Sequence, residues 1–182
     1  KFPAKYQRAI YLLDWTFGTM YAIHLTPRGA SYVGTREEFL SRTPLPLTDA
    51  VVGSDGALYF TVGGRGAQSE LFRVTYTGTG STAAAKPVAD EFSELRKLRR
   101  RLEQFHGQRH PAAVKTAWTY LGHPDRHIRY AARLALEAQD LALWQDAALT
   151  LPGAQARLTA LIGVARQGQK SMQPKLIASL NE

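Results

Sequence analysis

Between residues 78 and 88 the chain reads GTGSTAAAKPV, and the hydrophobic pattern differs in period on the two sides of this stretch. Before it, apolar residues alternate and are interrupted by Gly and Pro. After it they recur at steps of three and four. Alternation suits the pleat of a strand, whereas the longer step suits one face of a helix, so one repeating architecture cannot hold both halves. The pattern predicts an α+β chain in two parts: an antiparallel β-meander over residues 1–77 and an all-α part over residues 89–182. The small, flexible residues 78–88 form the linker between them.

In the first part, "AIYLLDW" is short and mostly apolar, which reads as an inner, buried strand. "GTMYAIHLT" follows, with Met20, Ala22 and His24 on one face and Tyr21, Ile23 and Leu25 on the other. "PRG" turns the chain, and "ASYVG" with "REEFLS" supplies a third strand and its loop. "LTDAVVG", the hairpin turn "SDG", "ALYFTVGG" and "ELFRVTY" then repeat the arrangement. The "GGRG" between the last two strands lacks a following helix. It therefore reads as a bend between strands and not as a phosphate cradle.

In the second part, "ADEFSELRKLRRRLEQFHG" places Asp90, Glu91 and Glu94 in its first turns and Gly107 as a stop. Phe92, Leu95, Leu98, Leu102 and Phe105 form its apolar face. Shorter helical segments follow, with Pro111 at a first helical position and Asp125 as an N-cap. Two of the segments read as helix, tight turn, helix, a repeat signature. Trp15, Trp118 and Trp144 each sit in an apolar pattern and are expected in the core.

The chain carries a net charge of +8, and fourteen basic residues against nine acidic ones lie beyond residue 88. Arg96, Lys97, Arg99, Arg100 and Arg101 are the densest run, read as a basic surface partly paired with Glu94 and Glu103. Aromatic residues for base stacking are not interleaved with it, so nucleic acid is not the expected partner. No stretch reaches the ~20 apolar residues of a transmembrane helix. The opening "KFPAKYQRAIYLLDW" has no apolar segment before a small-residue cleavage site, and reads as the interior of a longer chain or a mature end. Without cysteine the chain forms no disulfide, Cys-ligated zinc site, iron–sulfur cluster or covalent c-type haem of its own. His106, His110, His123 and His127 are separated by helix breaks and read as surface or junction residues, so no metal site is expected.

The pattern Asp125, Ile128, Arg129, Ala132, Ala135, Leu136 resembles the second helix of a HEAT repeat. There Asp125 caps, and Ile128, Ala132 and Ala135 face a partner helix. Arg129 pairs with Asp125 or with a neighbouring repeat's acid. The stretches "LLDWTFGTMYAIHL", "PLPLTDAVVGSDGALYFTVGGRG" and "LFRVTY" resemble the last two blades of a propeller of the sugar- or sorbosone-dehydrogenase type. Blades followed by HEAT-like helices resemble large bacterial membrane-bound dehydrogenase-like proteins, in which a haem domain often follows.

The resemblance implies a fragment of a multidomain enzyme that oxidises sugars or alcohols and passes electrons to haem, in the periplasm or outside the cell. The fragment would serve as propeller wall and helical spacer, inactive alone, with the remaining blades and a haem domain as partners. No cofactor is expected in this chain, although a quinone of the PQQ kind would belong to the whole protein. Arg65, Gln68, Asp14 and Asp49 are the candidates to face such a quinone or a substrate hydroxyl at the channel. No catalytic set can be assembled from the residues present. The alternatives are a non-catalytic helical interaction scaffold and, less favoured, a basic nucleic-acid binder.

Overall fold

The computed structural model describes residues 1–64 and 66–181. By Cα proximity the chain divides into two units. One comprises Lys1–Thr26 and Tyr32–Ala89; the other comprises Pro27–Ser31 and the chain from Asp90 onward.

The first unit opens with a single helical turn, α1 (Ala4–Gln7), started by Pro3. Strands β1 (Ile10–Asp14), β2 (Thr19–Arg28) and β3 (Ser31–Ser41) follow and form a three-stranded sheet in the order β1-β2-β3. β1 and β2 pair antiparallel, with Leu13 opposite Met20 and Tyr11 opposite Ala22. A second sheet, in the order β4-β5-β6, is built from β4 (Leu47–Val52), β5 (Leu58–Gly64) and β6 (Ala67–Val74). Its register sets Phe60 between Ala50 and Phe72, and Leu58 between Val52 and Val74. The Phe60 and Phe72 rings stack at 4.8 Å. Met20, Leu45, Leu47, Leu58, Phe60 and Val62 join Tyr11, Leu13 and Phe39 in one core drawn from both sheets.

This corrects the expected architecture. A propeller blade is a four-stranded sheet, repeated radially so that little edge remains. Here each sheet has three strands, each keeps two edge strands, and together they close no ring. β1 is also an edge strand rather than an inner one, and its alternate residues Ile10 and Leu12 are half exposed.

The second unit contains α2 (Ser93–Glu103), α3 (Ala113–Trp118), α4 (Arg126–Glu137), α5 (Gln145–Leu149), α6 (Ala154–Gln167) and α7 (Gln173–Leu180). Short 3₁₀ turns precede α5 and α7. α4 lies at the centre and packs against α2, α3 and α6. Its buried Ile128, Ala131, Ala132, Ala135 and Leu136 form the middle of a core that also takes in Leu102, Trp144 and Val164. The expected HEAT-type solenoid is corrected as well. Such an array stacks recurring helix pairs, yet the six residues of α3 span only about 9 Å against about 18 Å for α4. Pro124 follows α3 closely, and Pro152–Gly153, with Gly153 at φ +89°, follows α5, so neither grows to match its neighbour. Among the described residues no helix is long and apolar enough to cross a membrane.

Candidate functional site

The densest polar constellation lies in the first unit and begins with the one-turn helix α1. Phe2 and Tyr6 pack on Phe39 of β3 at 5.8 and 5.3 Å, and Tyr11 of β1 meets the same ring at 5.1 Å. Two residues before Phe39, and so on the same face of β3, Glu37 takes three partners. Lys5 Nζ donates to both carboxylate oxygens at 3.0 and 3.1 Å, and Tyr6 Oη donates at 2.8 Å. His24 Nε2, from β2, lies 2.5 Å from Oε2. Lys5 above all, then His24 and Tyr6, hold the Glu37 carboxyl down at about 2. Burial, with the Tyr6 and Glu37 charges, pushes the Tyr11 phenol up to about 12. A carboxylate held this far below neutrality is a weak base, since a general base works best with a pKa near the operating pH. Glu37 is therefore suited to fastening α1 against the sheet.

Beside this clamp opens a cleft of about 480 Å³. Phe2, Tyr6 and Tyr11 form one wall, Val52 and Leu58 another, and Lys1, Ser54 and Thr82 also line it. Gln7 shapes one side by holding the 78–88 stretch. Its Nε2 donates to the Phe2 and Ala83 carbonyls at 2.7 and 2.8 Å, and its Oε1 accepts from Ala85 N at 3.0 Å. Arg8 adds a hydrogen bond to the Lys86 carbonyl. At Gly56, φ is +79° and an added Cβ would come within 2.4 Å of Lys1 Cγ, so only glycine lets Lys1 settle there.

The expected site residues that are described lie on three separate strands. Asp14 ends β1 and uses Oδ1 to accept from Thr16 N and Phe17 N at 3.0 Å, closing the turn into β2. Asp49 accepts from Ala50 N at 2.8 Å beside an irregularity in β4. Gln68 is exposed on β6, the opposite edge of that sheet from Asp49. Arg65 lies outside the described residues. A quinone needs several polar groups gathered on one plane. Asp14, Asp49 and Gln68 sit on different strands, and each carboxylate gives one oxygen to its own backbone.

In the second unit the repeat-like residues are structural. Asp125 is the N-cap of α4, accepting from His127 N at 2.7 Å and Ile128 N at 3.3 Å. Ile128, Ala132, Ala135 and Leu136 are fully buried. Arg129 differs from expectation: its Nη1 donates to the carbonyls of His123 and Pro124, not to a carboxylate. In the basic run Lys97 pairs with Glu94 at 2.7 Å and Arg99 with Glu103 at 3.0 Å, while Arg100 and Arg101 are exposed. Arg96 is the correction there. It is buried and paired with Asp90, which lies just before α2. His106 Nε2 lies 2.8 Å from the Ala131 carbonyl, and the rings of His110 and His123 accept from Ala112 N and Asp125 N. Among the described residues no three His, Cys, Asp or Glu side chains gather as metal ligands. Of the tryptophans Trp144 is buried, whereas Trp15 is about a third exposed, its Nε1 donating to Gly63 O at 3.1 Å.

Reading the sequence alone passed over Glu37, Tyr6, Gln7 and the cleft. The available signal was a carboxylate two residues from Phe39, which places a charge on the inward face of a strand. No family model, curated protein or solved structure matches the chain.

Proposed function

We propose that this chain acts by binding, as an assembly part of a larger protein, with the outer faces of its two sheets docked against further β-sheet of that protein. The observation that carries this is the outer face of β4-β5-β6. Val51 stands beside Tyr59, and Leu71 beside Thr61, with Val51 64% and Leu71 70% exposed. On β1, Ile10 and Leu12 make a similar apolar row, opposite Ile23 and Tyr21. A sheet with one solvated face normally shows polar residues there, whereas sheets covered on both faces are apolar throughout. Arg73 beside Tyr59 and Asp49 beside Thr61 complete these rows, so the face is a mixed one in which large apolar side chains stand exposed, as at surfaces that are covered in the working protein. The inner faces of these sheets already share a core, and alternating β-branched and aromatic residues on the outer faces suit the same kind of partner.

The chain has no cysteine, so single thiols can report on each face. Val51→Cys and Leu71→Cys are expected to react rapidly with a maleimide in this chain and at least about tenfold more slowly within the longer protein. Equal rates in both would overturn the proposal.

The likeness of "LLDWTFGTMYAIHL" and its companion stretches to sugar-dehydrogenase-type proteins supports one choice of parent. This is a periplasmic or secreted dehydrogenase-like protein that oxidises sugars or alcohols with a quinone and passes electrons to a haem domain. A CxxCH motif encoded downstream in the same gene is expected on this reading, and a complete gene without one removes it.

A further inference from the structure

We propose that the cleft beside α1 binds a small apolar carboxylate, an aliphatic or aromatic acid whose body enters the cleft and whose charge meets Lys1. The inference is independent of the docking of the outer sheet faces. Its first support is Val52. By register Val52 pairs with Leu58, on the inward face of β4-β5-β6, and Leu58 is only 3% exposed. Val52 is nevertheless 63% exposed, because the cleft opens in front of it. The inward face of β4 thus opens onto the cleft at Val52, and the cleft's volume lies within the ~300–1,000 Å³ of small-molecule sites.

The chemistry of the lining selects the ligand. The Tyr6 and Tyr11 hydroxyls are already committed, to Glu37 and to the Tyr6 carbonyl, so these residues offer ring surface rather than donors. Gln7 is likewise committed on both its amide atoms. The lining holds no carboxylate, and the Lys1 side chain in it pairs with no acid among the described residues. Lys5 is taken by Glu37, and Asp55, close in sequence, is taken by Arg73 at 2.9 Å. An apolar body with one negative charge complements these walls, while a cation would meet Lys1 unfavourably. Ser54 and Thr82 add hydroxyls that can donate to the second carboxylate oxygen.

Titration of the whole chain with decanoate, followed by amide ¹H–¹⁵N shifts, tests this directly. Saturable shifts confined to residues 1–11, 52–58 and 82–84 are expected, with decyltrimethylammonium binding at least about fivefold more weakly. Val52→Trp, which fills the cleft, should weaken decanoate by about tenfold or more, and Lys1→Glu should remove the preference for the anion. Ala84→Trp serves as a second filling variant if Val52→Trp unfolds by circular dichroism. Shifts centred elsewhere, equal binding of the two detergents, or unchanged affinity in a folded filling variant would each overturn the proposal.

Discussion

Asp125 Oδ2 accepts the backbone N–H of Ala30 at 2.7 Å, although 95 positions separate the two residues in the chain. The other oxygen of the same carboxylate caps α4. Ala30 is fully buried and belongs to the same core as Ile128, Leu102 and Leu121. The turn between β2 and β3 is therefore a component of the helical unit, held by a residue that also starts its central helix. Burial raises the pKa of the Asp125 carboxyl, but the N–H groups of Ala30, His127 and Ile128 outweigh it, and the group titrates below its ordinary range.

Substitutions at Asp125 separate the two roles. An asparagine retains one carbonyl oxygen, enough for either the cap or Ala30, and presents an NH₂ to the other. Asp125→Asn is expected to cost about 1–2 kcal/mol, the usual penalty for a buried N–H without an acceptor. Asp125→Ala loses the cap as well, which adds about 1 kcal/mol. Urea denaturation of both variants checks the order, and equal costs would show that the cap adds nothing beyond what the asparagine already loses.

Gly29 reports on the same contact from the other side. Its φ is +56°, and an added Cβ would stand 2.2 Å from Asp125 Oδ2. Gly29→Ala therefore meets both left-handed backbone strain, about 1–2 kcal/mol, and displacement of the carboxylate. In an Asp125→Ala background only the strain remains, so the two substitutions should be non-additive by about 1 kcal/mol or more in a double-mutant cycle. Additive costs would mean that Asp125 moves aside freely.

How much of this was legible in the sequence follows from how local each feature is. The change of period lies close to the point where β6 ends at Val74 and α2 begins at Ser93. The Asp125 cap and the buried Ile128, Ala132 and Ala135 are set by residues within one helix, and their spacing suffices to find them. Sheet closure is a different matter. β1 reads as an inner strand because its outer face is apolar, but the pairing that would make it inner involves other strands and leaves no mark on its own residues. Glu37 with Lys5 and His24, and Ala30 with Asp125, join distant segments, so neither could be inferred from spacing. Arg96 was misplaced because a basic run hides the single member that turns inward.

The stability of the first unit should depend on pH through Glu37. Its ordinary pKa is 4.5 and its folded value about 2, so the folded state holds the carboxylate form more strongly. The contribution is complete above pH about 4.5 and is lost as pH falls toward about 2, where both states are protonated. Glu37→Gln carries no titrating group there. Its melting temperature should fall below the wild type's at pH 7 and converge toward it near pH 2. Parallel profiles would mean that the Lys5, Tyr6 and His24 contacts do not persist in solution.

The ion pairs around Glu137 predict an asymmetry. Arg133 Nε, on the same helix, and Arg166 Nε, on α6, both lie 3.2 Å from this carboxylate, whose side chain is only 9% exposed. Arg133 is 16% exposed and Arg166 60%. Arg166→Ala removes a mostly solvated partner and leaves Glu137 paired, so its cost should stay within the ~0–1 kcal/mol of surface pairs. Glu137→Ala strands the shielded Arg133 guanidinium as well, and breaking one side of a pair this well shielded costs up to about 3 kcal/mol. Denaturant unfolding of the two variants should thus rank Glu137→Ala well below Arg166→Ala. The reverse order would show that the α4–α6 link through Arg166, and not the compensation of Arg133, is what this carboxylate supplies.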